Sequence, residues 1–457
     1  MRTKEESRSA DILSLEGGPK LYIETYGCQM NVNDSEIVAA LMQKNGFSIT
    51  DGPDNADLIF INTCSVRDNA EQRVRGRLES FRKYKKKNPE LIIGVIGCMA
   101  ERLKEQLLVQ EQTVDIVAGP DAYRDLPNLI LMANSGQKAV NVHLSKEETY
   151  ADINPVRIDS NKVSAFVSIM RGCNNMCAFC VVPFTRGAER SREPQSILDE
   201  IRQLQEKNFR EITLLGQNVN SYRWMPSNEG LDFPDLLDKV ASSFPDLRVR
   251  FSTSHPKDIS EKLLHTIAAH ENLCKHIHLP VQSGSSRLLV MMKRGYMRED
   301  YMKRIESIKR ILPGASISTD IIAGFCSETD EDQKSTLSLM EWVGYDFAYM
   351  FKYSERPDTY AARKYKDDIP EEIKSLRLSE IIELQHKLSN ANNIKDVGQT
   401  FEVLAEGSSK KSEEQLFGRN SQNKVVVFPK GNFNPGDLVR VKIVSHTSAT
   451  LIGETEK

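Results

Sequence analysis

In the first part of the chain, short apolar runs alternate with longer stretches whose apolar residues recur at helical spacing. Leu21-Tyr-Ile-Glu-Thr-Tyr26, Asp57-Leu-Ile-Phe-Ile-Asn62 and Leu91-Ile-Ile-Gly-Val-Ile96 read as strands, with a fourth around Val114 to Val117. A helical run from Asp34 to Lys44 ends at Gly46, a long charged helix reaches Lys87 before Asn88-Pro89, and a last helix follows Asp125. Alternation of this kind predicts an open parallel sheet flanked by helices. After a polar linker containing Pro155 the alternation resumes, with strands expected over 164–170, 211–215, 248–252, 276–279, 316–322 and 347–353. Amphipathic helices separate them, so the segment predicts a partial (β/α)6 barrel with its active site at the carboxyl ends of the strands. Towards the end the period shortens to two. Thr400-Phe-Glu-Val-Leu-Ala405, Lys424-Val-Val-Val-Phe428 and Leu438-Val-Arg-Val-Lys-Ile-Val444, with turns such as Asn434-Pro-Gly436, predict a small C-terminal β-barrel. The expected organisation is therefore an α/β chain in three domains: 20–145, 160–393 and 394–457.

Composition narrows the class without choosing the function. A chain of 457 residues has room for two or three domains. A net charge of −3 neither demands nor excludes nucleic acid, so local patches carry that question. The first residues, with Arg2, Lys4, Glu5, Glu6 and Arg8, lack the apolar core of a signal peptide, and no apolar run reaches membrane-spanning length. A cytoplasmic protein with no membrane partner is expected. Eight cysteines in such a chain point to metal or redox chemistry rather than to a disulfide framework.

The cysteine spacing is the sharpest signal. Cys173, Cys177 and Cys180 form a CxxxCxxC pattern directly after a strand-like run, at the expected barrel mouth. Four thiolates would close a zinc tetrahedron or complete a cubane, whereas three on a four-iron cluster leave one iron open to a small molecule. The alternative is a structural zinc site with a distant fourth ligand, which no nearby His-xxx-His or second CxxC supports. Cys28, Cys64 and Cys98 each fall just past the carboxyl end of one of the first three strands, beside Gly27, Asn62 and Gly97. Such ends share one edge of a parallel sheet, so these thiols could meet as a second three-thiolate site. The alternative is three buried cysteines acting as small hydrophobes.

With Phe179 before its last cysteine, the CxxxCxxC loop resembles the signature of radical S-adenosylmethionine (SAM) enzymes. The three-cysteine amino-terminal segment and a TRAM-like terminal β-barrel resemble the methylthiotransferases of that superfamily. The likeness extends to Tyr26-Gly-Cys-Gln-Met-Asn31, the run Val181 to Arg192, Ser252-Thr-Ser-His-Pro256, His278-Leu-Pro-Val-Gln-Ser-Gly284 and Gly418-Arg-Asn420. The branch acting on a ribosomal protein carries Pro-Lys where this chain has Gln29-Met30, so the tRNA branch is the better match. One departure is Gly324-Phe-Cys-Ser-Glu328 in place of Gly-Phe-Pro-Gly-Glu, which makes Cys326 a spare thiol.

The resemblance implies two [4Fe-4S] clusters and SAM as cofactors, with all six cysteines (Cys28, Cys64, Cys98, Cys173, Cys177 and Cys180) as metal ligands and catalytic residues. The cluster on Cys173, Cys177 and Cys180 would bind SAM and, given one electron, generate a 5′-deoxyadenosyl radical; the cluster on Cys28, Cys64 and Cys98 would present or donate sulfur. It further implies a tRNA substrate, the anticodon stem-loop bearing isopentenyladenosine at position 37, methylthiolated at adenine C2. An electron donor such as flavodoxin or ferredoxin and a monomeric state are expected. The nearest enzyme alternative is the sister reaction on threonylcarbamoyladenosine in tRNA, and a reading from a different class is a non-catalytic iron–sulfur RNA-binding redox sensor.

Other candidates rest on position. Phe179 lies within the cluster loop, and Glu189, Arg192, Gln217, Asn218, Ser252 and Gln282 follow that loop or end successive strands, where they could hold the cofactor; each of these polar residues could equally make a capping or loop hydrogen bond. Arg73, Arg75, Arg77, Lys85 and Lys86 in the long charged helix, with Arg419 and Lys424 in the terminal barrel, are candidate RNA contacts, against the alternatives of a solvated helix face and a structural barrel. Tyr222 and Trp224 could stack a base. His278 lies in an apolar run and is expected to be a satisfied interior histidine.

Overall fold

A computed structural model describes residues 18–65, 68–158, 162–225 and 230–456, with the side chains of 68–70 left out. The polar amino-terminal segment and the end of the linker, 159–161, lie outside the described residues. The described residues divide into two compact units: 18–158 with 171–174 and 181–190, and the rest from 162 onwards. Two short pieces flanking the CxxxCxxC core thus belong to the first unit. No helix among the described residues is long and apolar enough to cross a membrane.

In the first unit the strands are β1 (Lys20–Tyr26), β2 (Ser48–Ile49), β3 (Leu58–Thr63), β4 (Ile92–Gly97), β5 (Ile116–Ala118) and β6 (Ala139–Asn141). They form one six-stranded sheet in the order β2-β1-β3-β4-β5-β6, every neighbouring pair parallel. The central β3 and β4 are buried along their whole length, so they read as unbroken apolar runs. Between strands lie α1 (Gln29–Lys44), α2 (Asp68–Lys87), α3 (Cys98–Leu103), α4 (Glu105–Gln110) and α5 (Leu126–Asn134). Helix α1 starts five residues before the expected Asp34 because its first turns turn polar groups inward: Asn31, Asn33, Asp34, Ser35 and Glu36 are all buried. An apolar stripe cannot reveal a helix whose buried face is polar. Helices α3 and α4 and strands β2 and β6 are too short to leave a periodic signal.

In the second unit, β7 (Ser164–Ser168), β8 (Glu211–Leu215) and β9 (Arg248–Ser252) form a parallel sheet in the order β9-β8-β7. A second parallel sheet contains β10 (His276–His278), β11 (Ser316–Ala323) and β12 (Phe347–Lys352), and an isolated parallel bridge joins Val249 of β9 to Leu273, three residues before β10. Six strands in chain order with helices between them make the partial (β/α)6 barrel. Five further strands, β13 (Thr400–Ser409), β14 (Ser412–Asn420), β15 (Val425–Pro429), β16 (Leu438–His446) and β17 (Leu451–Thr455), close into a small barrel in the order β13-β14-β15-β17-β16.

The turn between β14 and β15 sits against the amino ends of the larger barrel's strands. Arg248 Nη1 donates to Arg419 O at 2.8 Å, Arg250 Nη2 to Asn420 O at 2.8 Å, and Ser316 Oγ to Gln422 O at 2.6 Å. Lys424 Nζ reaches Asp346 at 3.1 Å and Asp396 at 2.7 Å. Carbonyls enclosed at this contact need donors, and Arg248, Arg250 and Ser316 near the strand starts supply them. The opposite, carboxyl end is thereby left to the loops that follow each strand.

Candidate active site

Three thiol-bearing turns are tied together at the carboxyl edge of the first sheet. Cys28 follows β1 and caps α1, Cys64 follows β3, and Cys98 opens α3 directly after β4. Asn31 Nδ2 donates to Asn62 Oδ1 at 2.9 Å, and Asn62 Nδ2 donates to Asn31 O and to Ser35 Oγ, each at 2.9 Å. This buried amide ladder fixes the first turn to the second. Glycine makes the closeness possible. A Cβ on Gly27 would stand 2.4 Å from Cys64 Cβ, and one on Gly97, whose φ is +88°, would stand 2.4 Å from Asn62 Oδ1. Gly97→Ala is therefore expected to cost about 1–3 kcal/mol and to spread the three turns, read as a lowered unfolding temperature and lost iron after reconstitution.

The thiols differ in environment. A hydrogen bond from Cys64, then the Arg186 charge and the α1 backbone N–H groups, outweigh burial and push Cys28 down to about 6. A thiol caught at a helix start beside a guanidinium is poised as a thiolate. Cys98 is pushed up by burial, partly offset by Arg186, whose Nε donates to Cys98 Sγ at 3.2 Å. Arg186 Nη2 and Arg171 Nη1 each reach the Asp34 carboxylate at 2.8 Å, and Arg190 pairs with Asp121 at 3.0 Å. Burial alone would raise Asp34, but the two guanidinium groups hold its carboxyl below the usual range. Sequence reasoning missed this network; the cue was three arginines, Arg171, Arg186 and Arg190, immediately around the cysteine loop.

In the CxxxCxxC loop, Cys173 belongs to the first unit, where its N–H bonds Gly187 O at 3.1 Å, while Cys177 and Cys180 belong to the second. Cys173 and Cys177 are buried and Cys180 is half-buried. Ala178 is held through its N–H to Met292 O at 2.9 Å and through its carbonyl by Ala361 N–H at 2.7 Å. Phe179 packs against the cluster of Leu288, Met292 and Phe325. Arg294, unforeseen from the sequence, donates through Nη1 to Cys177 Sγ at 3.1 Å.

The other expected cofactor residues divide sharply. Arg192 is buried and spent on Glu200, Ser196 and Ser168 O. Glu189 and Asn174 bond each other's backbone N–H groups, at 3.2 Å and 3.1 Å. Asn218 bridges Asp258 and the His255 N–H. Ser252 Oγ meets Thr253 Oγ1 at 3.4 Å. Gln282 adopts φ +72° and bonds β11 through its backbone. Only Gln217 keeps a buried side-chain oxygen, Oε1, without a partner; Asn220 Nδ2 and His255 Nε2 nearby in the same set of loops share that condition. Tyr222 is buried with its hydroxyl on Arg192 O, which removes it from base stacking. His278 bonds Ser318 and Asp320. Cys274 and Cys326 are buried; burial pushes Cys274 up to about 11.

The expected RNA contacts also divide. Arg75 pairs with Glu71 and Glu111, Arg77 with Glu24 and Lys85 with Asp115, while Arg73 and Lys86 are exposed. Arg419 pairs with Glu406, and Lys424 is enclosed by Asp346 and Asp396. A cation already matched by one or two carboxylates has little charge left for phosphate.

Among the described residues no three His, Cys, Asp or Glu side chains converge on a single metal position. Ligands of a cubane need not do so, since each thiolate takes a different iron. Two all-thiol donor trios, each with a buried guanidinium on one of its sulfurs, fit iron–sulfur chemistry better than zinc or a hard cation.

Residues 20–119 match the uncharacterized protein family UPF0004, 167–340 the radical SAM superfamily and 395–455 the TRAM domain. The chain is 58% identical over 435 residues to a tRNA-2-methylthio-N(6)-dimethylallyladenosine synthase of Parabacteroides distasonis, covering 95% of each protein. It is 55% identical over 468 residues to the protein of the same name from Flavobacterium johnsoniae, covering 98% of this chain and 97% of that one. Among solved structures it resembles the radical SAM methyltransferase TsrM of Kitasatospora setae, with a TM-score of 0.54 at 13% identity over 73% of each chain. The cobalamin-dependent radical enzyme OxsB has the same TM-score, 0.54, at 14% identity, with 81% of this chain and 61% of that one covered. The two structures share the fold; the near-full-length identity to the synthases goes further, and the chain belongs to the tRNA-2-methylthio-N(6)-dimethylallyladenosine synthase family of the radical SAM superfamily.

Proposed function

We propose that this chain is a tRNA methylthiotransferase that replaces the C2 hydrogen of N(6)-isopentenyladenosine at position 37 with a methylthio group. The observation that carries this reading is the placement of Cys28, Cys64 and Cys98 along one sheet edge, with the first two turns tied by the Asn31–Asn62 ladder, in a chain that also bears CxxxCxxC. The C2–H bond is strong and not acidic, so no side-chain base can break it and a cofactor must carry the hard step. Cys173, Cys177 and Cys180 would hold one [4Fe-4S] cluster, which binds SAM, and Cys28, Cys64 and Cys98 a second. When bound, these groups supply one-electron cleavage of SAM and a sulfur atom for insertion.

The protein's own part is to hold and shield. Gln217, with its unpartnered buried oxygen, is the side chain best placed to bond SAM directly. Arg192, Asn218 and Glu189 hold their own loops through Glu200, Asp258 and Asn174, while Ser252, Gln282 and Phe179 stand at strand and loop ends. The tRNA phosphates would meet the exposed Arg73 and Lys86 with their neighbours Lys83 and Lys87. Arg75, Arg77, Lys85 and Arg419, each already paired with a carboxylate, contribute less, and Lys424 serves the barrel-to-barrel contact. A splayed base in an unpaired anticodon loop suits this chemistry. A flavodoxin- or ferredoxin-like electron donor, a cytoplasmic location and a monomeric state complete the proposal.

Nucleoside mass spectrometry of tRNA from cells lacking the gene tests it. Methylthio-isopentenyladenosine should vanish while isopentenyladenosine accumulates. Loss of the methylthiolated threonylcarbamoyladenosine instead would transfer the assignment to the sister reaction.

A further inference from the structure

Two buried arginines touch cysteine sulfurs, and they differ in what balances their charge. Arg186 lies against Cys98 but also bonds Asp34, which supplies a formal negative charge. Arg294 is only 5% exposed. Besides Cys177 Sγ, its guanidinium donates to Pro280 O at 2.7 Å and to the Tyr296 hydroxyl at 3.1 Å, both uncharged partners. No carboxylate among the described residues forms an ion pair with it; burial holds the Tyr296 hydroxyl protonated, which leaves the Cys177 sulfur as the group of anionic character at its guanidinium. Its neighbour His255 offers no help: burial, then the charge of Arg294, push that imidazole down to about 2, so it stays neutral.

A buried guanidinium without a counter-ion is strongly unfavourable. Its compensation must come from the one anionic group within reach, the sulfur side of the cysteine loop. We propose that Arg294 is the counter-charge of the Cys173, Cys177 and Cys180 site, a positioning residue that anchors Cys177 and raises the reduction potential of the iron–sulfur group ligated there. This rests on the ligand assignment made above. On reduction one electron enters from a low-potential one-electron donor, no bond is made or broken, and the site gains one negative charge. A fixed cation at hydrogen-bonding distance from a ligand sulfur favours that more negative state. The same donor also fixes the rotamer of Cys177, as second partners of metal ligands do.

The test uses the full chain with Cys28, Cys64 and Cys98 replaced by alanine, so that only the Cys173, Cys177 and Cys180 site can be loaded. Its midpoint potential is measured by dithionite titration read by electron paramagnetic resonance, alongside iron content. Arg294→Met should keep about four irons yet move the midpoint to more negative values. Arg294→Lys, which keeps the charge, should lie between that variant and its parent. An unmoved midpoint in Arg294→Met overturns the proposal. So does an equal shift in Arg294→Lys, because the charge would then be irrelevant. A parent chain that takes up no iron overturns the ligand assignment itself, which is a different failure.

Discussion

Cys177→Ala should abolish reductive cleavage of SAM, whereas Cys64→Ala should leave that cleavage intact and stop methylthiolation. The two cysteines sit in separate trios: Cys177 in the loop after β7, Cys64 at the edge of the first sheet. Loss of one of three ligands leaves too few thiolates to hold a cubane with a single open iron. Each variant should therefore fall from about eight irons per chain to about four. The measurements are iron content under anaerobic reconstitution, 5′-deoxyadenosine formed with dithionite, and methylthiolated nucleoside formed on tRNA. Cleavage by the Cys177 variant, or product from the Cys64 variant, would remove the corresponding residue from its role. Cleavage lost in both would mean that the two sites are not independent.

The second large effect concerns stability. Asp34→Ala should destabilise the first unit by about 3–5 kcal/mol, because two buried guanidinium groups lose their shared carboxylate. Arg171 and Asp34 are 1% and 0% exposed at the side chain, so water cannot substitute. The loss should appear as faster hydrogen exchange in β3 and β4, the fully buried strands, and as reduced iron at the Cys28, Cys64 and Cys98 site, since Arg186 is anchored by the same carboxylate. Asp34→Asn keeps one acceptor in place and should lose less. Unchanged exchange in the alanine variant would show that Arg171 finds sufficient partners in Pro120 O and the Tyr150 ring, which its guanidinium faces at 4.9 Å.

Much of the scaffold is legible in the chain because its signal is local. The strands β1, β3, β4 and β7 to β12 are marked by short runs set between helical stretches, most plainly in β3 and β4, whose burial along their whole length calls for Ile, Leu and Val on both faces. Cys28, Cys64 and Cys98 could be assigned to one edge because parallel connectivity places every carboxyl end on the same side. Helix α1 was harder: its inward face carries Asn31, Asp34 and Ser35, and a polar face looks like solvent until its partners are known.

The charged residues mark the limit. Arg192 and Lys424 look like free cations in sequence, yet Glu200 lies eight residues from the first, and Asp346 and Asp396 lie far from the second. Conversely, Arg186 lies close to the CxxxCxxC loop in sequence yet touches Cys98, 88 residues away, and Arg294 touches Cys177, 117 residues away. By itself the sequence determined the strand–helix alternation, the two cysteine trios and their place at strand ends, since each depends on residue type and spacing along one stretch of chain. Only the tertiary structure decided which cations are neutralised, which stand against thiols and which polar atoms are left unpartnered. Electrostatic pairing acts through space over a few ångströms, and residues that close can be more than a hundred positions apart in the chain.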